Sequence, residues 1–372
     1  MVSGRALEST AIDLRRLTNA GHDSRTLRMR LLARLERLIP FETAWFATCD
    51  PSTLLFTDAV RQEMPHSSTP RFVEDEFLLD DFNKWTELTN APVHAQSLLA
   101  ATGGDLRASY RWREILEPLG LGDELRVALV VAGTCWGFIC LHRSSRSPAF
   151  TPEEASALDS LALVMADGLR GSLLVQAVSS SLDEAGVLVL AADFSVSSMS
   201  ARAERWLAEI SDAEWPPMRE LPPVVLAVAG RLWSPTAGNR PFESPSARLK
   251  TRSGVWLMVR ASRLNGGSGS EQTAIVLAPA AQVEVAPMIM EAYGLTHRER
   301  ELTGLVLRGM STKQLGIALR ISQLTVQQHL KSIFDKTGVR SRRELAAQVF
   351  ATHYQPKLAA GIRSGSNGYF IS

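Results

Sequence analysis

Apolar residues recur at threes and fours near the start of the chain: Leu14, Leu17, Leu27, Leu31, Leu35 and Leu38. That spacing predicts helix over residues 8–39, broken near Gly21 and stopped by Pro40. The pattern then turns to alternation over residues 43–49 and 53–60, on either side of Asp50-Pro51-Ser52, which predicts a hairpin. Residues 70–118 read as mixed helix and loop. A second strand pair, 124–132 and 135–143, flanks Gly133-Thr134. Thr151-Pro152-Glu153-Glu154 then opens a helix running to about Leu174, with Thr as N-cap, Pro in the first turn and carboxylates at the positive end of the helix dipole. Between 182 and 278 the order is strand, turn, strand, helix, then a hairpin around Ser253-Gly254 and a strand at 273–277. A proline-rich stretch (Trp215-Pro216, Leu221-Pro222, Ser234-Pro235) stands where a helical part is absent.

The pattern is sharpest over residues 295–350, which read as four short helices. Thr296 and Glu299 form a capping box, followed by an apolar face of Leu302, Leu305, Val306 and Leu307 and a stop at Gly309. Ser311 caps a second helix that would bury Leu315, Ala318 and Leu319. After the tight turn at Ile321-Ser322, Ser322 caps a third helix, closed at Gly338. Ser341 and Glu344 open a fourth with Leu345, Val349 and Phe350. Two helices joined by so short a turn are a helix-turn-helix. On the third helix, Val326, Leu330, Ile333 and Phe334 share one arc, while Leu324, Gln327, Gln328, Lys331 and Asp335 share another. Amides and a cation on the free face match adenine and guanine edges in the major groove. Charge agrees: residues 296–345 hold ten Lys and Arg against four Asp and Glu, a net +6 in a chain of net +1. Basic charge gathered in one module is the footprint of phosphate contact.

This segment resembles the LuxR-type (NarL/FixJ-like) DNA-binding domain. The resemblance rests on Leu295, Thr296 and Arg298 to Glu301, on Gly309, Ser311, Lys313 and Leu315, on Ile321, Ser322, Thr325, Val326 and His329, on Lys336, Gly338 and Val339, and on Arg342, Glu344 and Leu345. It implies binding to double-stranded DNA as a homodimer, with Gln327, Gln328 and Lys331 facing bases and Thr312, Lys313, Thr325 and Arg342 at phosphates. Leu345, Val349 and Phe350 would form the dimer contact. RNA polymerase is a further partner that such regulators meet, and the family leans to activation. His329 reads as a packed structural residue. The family often has Lys or Arg where Gln327 stands.

The front of the chain resembles a GAF sensory domain, most closely from Asp123 to Ala162, where two strands and the Phe150-Thr151-Pro152 helix start recur. Such a fold implies a small-molecule effector of unstated identity, with Trp45 and Trp112 as pocket candidates; plain core is the competing reading for either. The middle stretch resembles a reduced PAS domain. The expected class is therefore multidomain: an α+β (GAF/PAS-like) sensory region, then an all-α four-helix LuxR-type domain. The divisions are 1–175 GAF-like, 176–279 PAS-like, 280–288 linker, 289–355 DNA-binding and 356–372 disordered tail.

Composition narrows the chemistry. At 45% hydrophobic and 21% charged residues, the chain can bury several cores. It shows no signal-peptide core and no apolar run long enough for a membrane span, so a cytoplasmic location without membrane contact is expected. Cys49, Cys135 and Cys140 include no CxxC and read as reduced packing residues. No phosphate loop, nucleophile elbow, histidine pair of metal spacing or receiver-type acidic pair is present, and Asp80-Asp81 reads as a solvated face or cap. No cofactor, metal or catalytic group is expected. The expected function is sequence-specific regulation of transcription, with a signal changing dimer geometry or releasing the DNA-binding module. Two readings stay open beside it: a protein-interaction regulator docking through the same helices, and a ligand-modifying enzyme in residues 1–175.

Overall fold

The computed structural model of the chain describes residues 3–64, 69–174, 184–210, 221–234, 244–265 and 271–348. They form two compact units, one within 1–175, 184–251 and 257–278, the other within 252–256 and from 279 onward.

The first unit begins with α1 (Gly4–Thr18) and α2 (Ser24–Leu38), capped by Ser3 and Asp23. Five strands follow: β1 (Thr43–Cys49), β2 (Phe56–Gln62), β3 (Ala95–Ser97), β4 (Leu121–Val131) and β5 (Thr134–Ser144), in the antiparallel order β2-β1-β5-β4-β3. The capping box of Thr151 and Glu154 opens α6 (Pro152–Ser172), which lies with α1 and α2 and covers β4. Its Leu158, Leu161, Met165 and Leu169 are buried, the face that apolar periodicity demands. Between β2 and β4 the chain forms α3 (Thr69–Leu78), α4 (Trp85–Asn90), α5 (Leu98–Ala101) and a π turn over Trp112–Leu116.

A second sheet in this unit has β6 (Gly186–Leu190), β7 (Val196–Met199), β8 (Ser246–Lys250), β9 (Trp256–Asn265) and β10 (Glu271–Pro279), in the order β7-β6-β10-β9-β8. Helix α7 (Ala201–Ile210) packs on β6. The proline-rich stretch, expected to lack a helix, instead carries α8 (Pro223–Trp233). Pro223 sits in its first turn, where the missing N–H costs nothing. Residues 224–230 are buried all round, so the helix is stabilised by burial rather than by an amphipathic stripe. It rests on α3 and β2. At Gly230 the approach is so close that an added Cβ would lie 2.6 Å from Val73 Cγ1. Alongside, Arg248 of β8 grips Asp50 at the end of β1: Nε to Oδ2 is 2.8 Å, Nη2 to Oδ1 is 2.6 Å, and the Arg248 backbone N–H also donates to Oδ2 at 2.8 Å. Asp50 is 1% exposed.

The second unit is helical: α9 (Gln282–Ala292), α10 (His297–Leu307), α11 (Thr312–Leu319), α12 (Gln323–Thr337) and helical residues 342–348. Stretch 280–288, expected as a linker, is thus largely helix, with Pro287 inside it. Its Val285, Met288 and Ile289 are buried, which outweighs the interruption. Thr296 with Glu299 and Ser311 with Gln314 are capping boxes, Ser322 caps α12, and Gly338 closes it at φ 72°. The core joins Leu302, Val306, Leu315, Leu319, Val326, Leu330, Ile333, Val339 and Leu345. Ala318, expected in it, is exposed. Gly316 permits the tight helix-turn-helix corner, because a Cβ there would meet Ile321 O at 2.9 Å.

Glu299 ties α10 to α12. Its carboxylate accepts from Lys336 Nζ at 2.6 Å, Ser332 Oγ at 2.7 Å and the Thr296 N–H at 2.7 Å. Burial alone would push its pKa up; these donors outweigh burial and bring it down to about 2. The folded value is depressed, so this stabilisation is present above about pH 4.5 and is lost as pH falls through about 2. Glu299→Gln should lower stability at pH 7 by about 2 kcal/mol, and its deficit against wild type should shrink from pH 4.5 downward in urea unfolding followed by helical circular dichroism. Arg248→Ala, which strands the buried Asp50 carboxylate, should destabilise the first unit by about 3 kcal/mol in tryptophan-monitored unfolding.

Candidate functional site

Two places in the chain gather chemistry. The first is the outer face of α12. Val326, Leu330 and Ile333 are buried in the helical core, while Leu324, Gln327, Gln328 and Lys331 are exposed. The residues expected to face bases therefore project from a helix whose other side is anchored. Lys313 is exposed at the start of α11. Thr312 and Arg342, both expected at phosphates, are brought together: Arg342 donates to Thr312 Oγ1 at 2.7 Å and to Met310 O at 3.1 Å. Thr325 Oγ1 lies 2.8 Å from the capping Ser322 Oγ. Leu345, expected at the dimer contact, is fully buried in the unit's own core. Val349 and Phe350 lie outside the described residues, as does the expected tail at 356–372.

The second place is a cavity in the first unit, and strand register builds it. Arg61 stands opposite Trp45, Trp45 opposite Cys140, and Cys140 opposite Arg126. Directly opposed residues share a sheet face, so these four form one row. Two residues along, Thr43, His142 and Glu124 form the next row. Above the rows lie Phe72, Val73 and Glu76 of α3, Trp85 of α4 and Pro223 of α8. Trp85 stacks on Phe138 at 4.5 Å and Arg126 lies 4.5 Å over the Trp85 ring. The cavity has a volume of about 40 Å³ and opens at its mouth to solvent. Trp45 lines it. Trp112 does not: its Nε1 donates to Gly122 O at 2.8 Å and its ring packs beside Leu98, Leu116 and Leu121.

Beneath the cavity lies a buried ionic network. Arg111 donates to Glu124 Oε2 at 2.7 Å, to Asp75 Oδ2 at 2.8 Å and to Phe82 O at 3.0 Å. Arg126 pairs with Glu76 at 3.1 Å and with Glu124 at 3.1 Å; His142 Nε2 is 3.2 Å from Glu124 Oε1. Asp81, expected on a solvated face or as a cap, is buried here, where it accepts from Ser109 Oγ and the Arg111 N–H. Burial works against the Glu124 charge, but Arg111, Arg126 and His142 hold its pKa well below the usual carboxylate range. Glu124, Cys140 and His142 also place ligand atoms within 4.8 Å of one another. They fit a metal poorly: the carboxylate is taken by two guanidinium groups, and burial holds the Cys140 thiol protonated. Cys49 and Cys135 lie Sγ to Sγ at 4.0 Å, and all three cysteines are free.

The sequence reading missed Glu76, Trp85, Arg126, His142 and Pro223 as cavity residues. The hairpin was legible but its register was not: the turn alone would set His142 opposite Asp123 and Cys140 opposite Leu125, and a bulge between Leu129 and Val130 shifts them to Glu124 and Arg126. Nothing local marked Pro223.

With this geometry in view, comparison places the chain. Residues 294–349 match the family described as bacterial regulatory proteins, luxR family, and residues 23–169 match the GAF domain. A monoamine regulon transcriptional regulator from Klebsiella aerogenes is 45% identical over 56 residues, covering 15% of this chain and 25% of that protein. The spore germination protein GerE of Bacillus subtilis (strain 168) is 34% identical over 55 residues, covering 15% of this chain and 74% of that one. The chain thus spans a quarter of the first relative and about three quarters of the second. Among solved structures, a GAF domain/HD domain protein from Geobacter sulfurreducens shares 19% identity, over 39% of this chain and 91% of that chain, at TM-score 0.30. The chain belongs to the luxR family of bacterial regulatory proteins. No helix among the described residues is long and apolar enough to cross a membrane.

The network also carries a pH signature. It sets the four carboxyls of Asp75, Glu76, Asp81 and Glu124 against the three cations Lys84, Arg111 and Arg126. Burial pushes Asp75 up and Arg111, Lys84 and Arg126 pull it back only to about 6; its Oδ1 finds no hydrogen-bond partner among the described residues. The folded value is raised, so the stabilisation from protonating Asp75 is full below about pH 3.8 and is lost as pH rises through about 6. Wild type should therefore gain stability between pH 7.5 and pH 5 at this group. Asp75→Asn should lose that gain, read as denaturant midpoints at the two pH values.

Proposed function

We propose that this chain is a transcription regulator that binds duplex DNA as a homodimer through α12, and that a small ring-bearing effector in the cavity of the first unit sets its activity. The observation that carries the first part is the partition of α12. Its apolar arc is spent on the core, leaving amides and a cation as the only hydrogen-bonding groups on the free stripe from 324 to 331. Gln pairs bidentately with adenine and Lys with guanine, and the surrounding +6 attracts phosphate. The name of the Klebsiella relative, a transcriptional regulator, supports the reading. Aromatic walls at Trp45, Phe56, Phe72 and Trp85 support the second part.

The division we assign is sensory 1–175, middle 176–279 and DNA-binding 289–355. The protein works in the cytoplasm and recruits RNA polymerase as an activator, and we assign it no catalytic step. Lys331→Ala or Gln328→Ala should weaken specific binding tenfold or more while leaving non-specific binding nearly unchanged, about 1–3 kcal/mol per base contact. Lys313→Ala should weaken both and reduce the salt slope by about one. Footprinting at two salt concentrations distinguishes these; unchanged specificity in the first two variants would remove α12 from the role. Native mass spectrometry of the full chain should show a retained small molecule that Trp45→Ala loses. A chain that is empty, and whose melting temperature no library of ring-bearing metabolites raises, would overturn the effector site.

A further inference from the structure

Leu324 lies on the outward stripe of α12, one and two turns before Gln327, Gln328 and Lys331. It is 66% exposed; only Ile317, at 70%, is a more exposed large apolar side chain among the described residues. It contributes nothing to the helical core, which lies on the opposite arc. It sits in the first turn of the helix, and in helix-turn-helix docking the first turns of the second helix are the part that meets base edges. Ile317 is on α11, the helix that crosses the backbone instead.

A leucine cannot donate or accept a hydrogen bond. In the major groove only one base offers it an apolar partner, thymine, through its C5 methyl. The other bases present donors or acceptors that leucine would desolvate and leave unpaired. We propose that Leu324 is a specificity-determining residue that selects a T·A pair by contact with the thymine methyl. Seven residues separate it from Lys331, roughly 10 Å of helix axis. The selected thymine is therefore a different base from the one that Lys331 meets. The inference rests on the DNA-binding reading above, and its test separates the two.

The full chain is used to select duplexes from a random library. In the recovered site each thymine is then replaced in turn by deoxyuridine, which removes the methyl and keeps every hydrogen-bonding group. Wild type should lose affinity about four-fold at one thymine per half-site, the effect of one methyl withdrawn from an apolar contact. Leu324→Ala should bind the thymine and uracil duplexes equally at that position and keep its dependence on the bases read by Gln328 and Lys331. This variant alters an exposed side chain, so folding is not at issue. If selection recovers a site but no thymine is distinguished from uracil, or if Leu324→Ala keeps the wild-type ratio, the thymine contact is wrong and DNA binding stands. A Leu324→Ala protein indistinguishable from wild type on every duplex also overturns it and leaves Leu324 to a protein partner. If wild type enriches no sequence at all, the DNA-binding reading fails and this inference falls with it.

Discussion

One buried carboxylate, Glu124, governs the sensory unit. Two guanidinium groups and an imidazole converge on it from Arg111 just before the π turn, from β4 and from β5. It is the one carboxylate that Arg111 and Arg126 share, and removing one partner of a buried ionic pair costs several kcal/mol. Arg111 in turn holds Asp75 on α3, and Arg126 holds Glu76 and lies over Trp85. The roof of the cavity is therefore positioned by the charges of its floor. Hydrophobic burial alone would let α3 and α4 settle in many ways; directional pairs select one.

The helical unit uses the same device on a shorter leash. Glu299 serves its own helix as the third residue of a capping box and reaches α12 through Ser332 and Lys336. One side chain thus ends one helix and orients another. The stripe Leu324–Lys331 is aimed by groups on its far side, none of which needs to approach a ligand.

How much could be read in advance follows from how local each cause is. Caps act within three or four residues, so Thr296, Ser311 and Ser322 announced the helices of the second unit, and α12 showed its two faces through spacing alone. Strands 43–49 and 135–143 were legible for the same reason. The cavity was not, since its walls come from residues as far apart as Trp45 and Pro223, joined only by sheet register and by helix packing. Helix α8 was hidden by its own burial: apolar on all sides, it has no periodicity to detect, and prolines flank it. Pro287 and small residues made α9 look like a tether, whereas its buried Met and Ile side chains make it part of a folded body. Trp112 took the plain-core alternative to a pocket wall, and Asp81 went inside rather than to a solvated face. Residue type left both choices open, while one backbone carbonyl and one arginine decided where they went.

The grip of Arg248 on Asp50 spans 198 residues of chain. A growing polypeptide emerges at about 5–20 residues per second, so Asp50 leaves the ribosome roughly 10–40 s before its partner exists. Through that interval the end of β1 must keep its carboxylate in water. The GAF-like sheet can form early, but it can only finish late. The order of synthesis therefore separates assembling this sheet from sealing it.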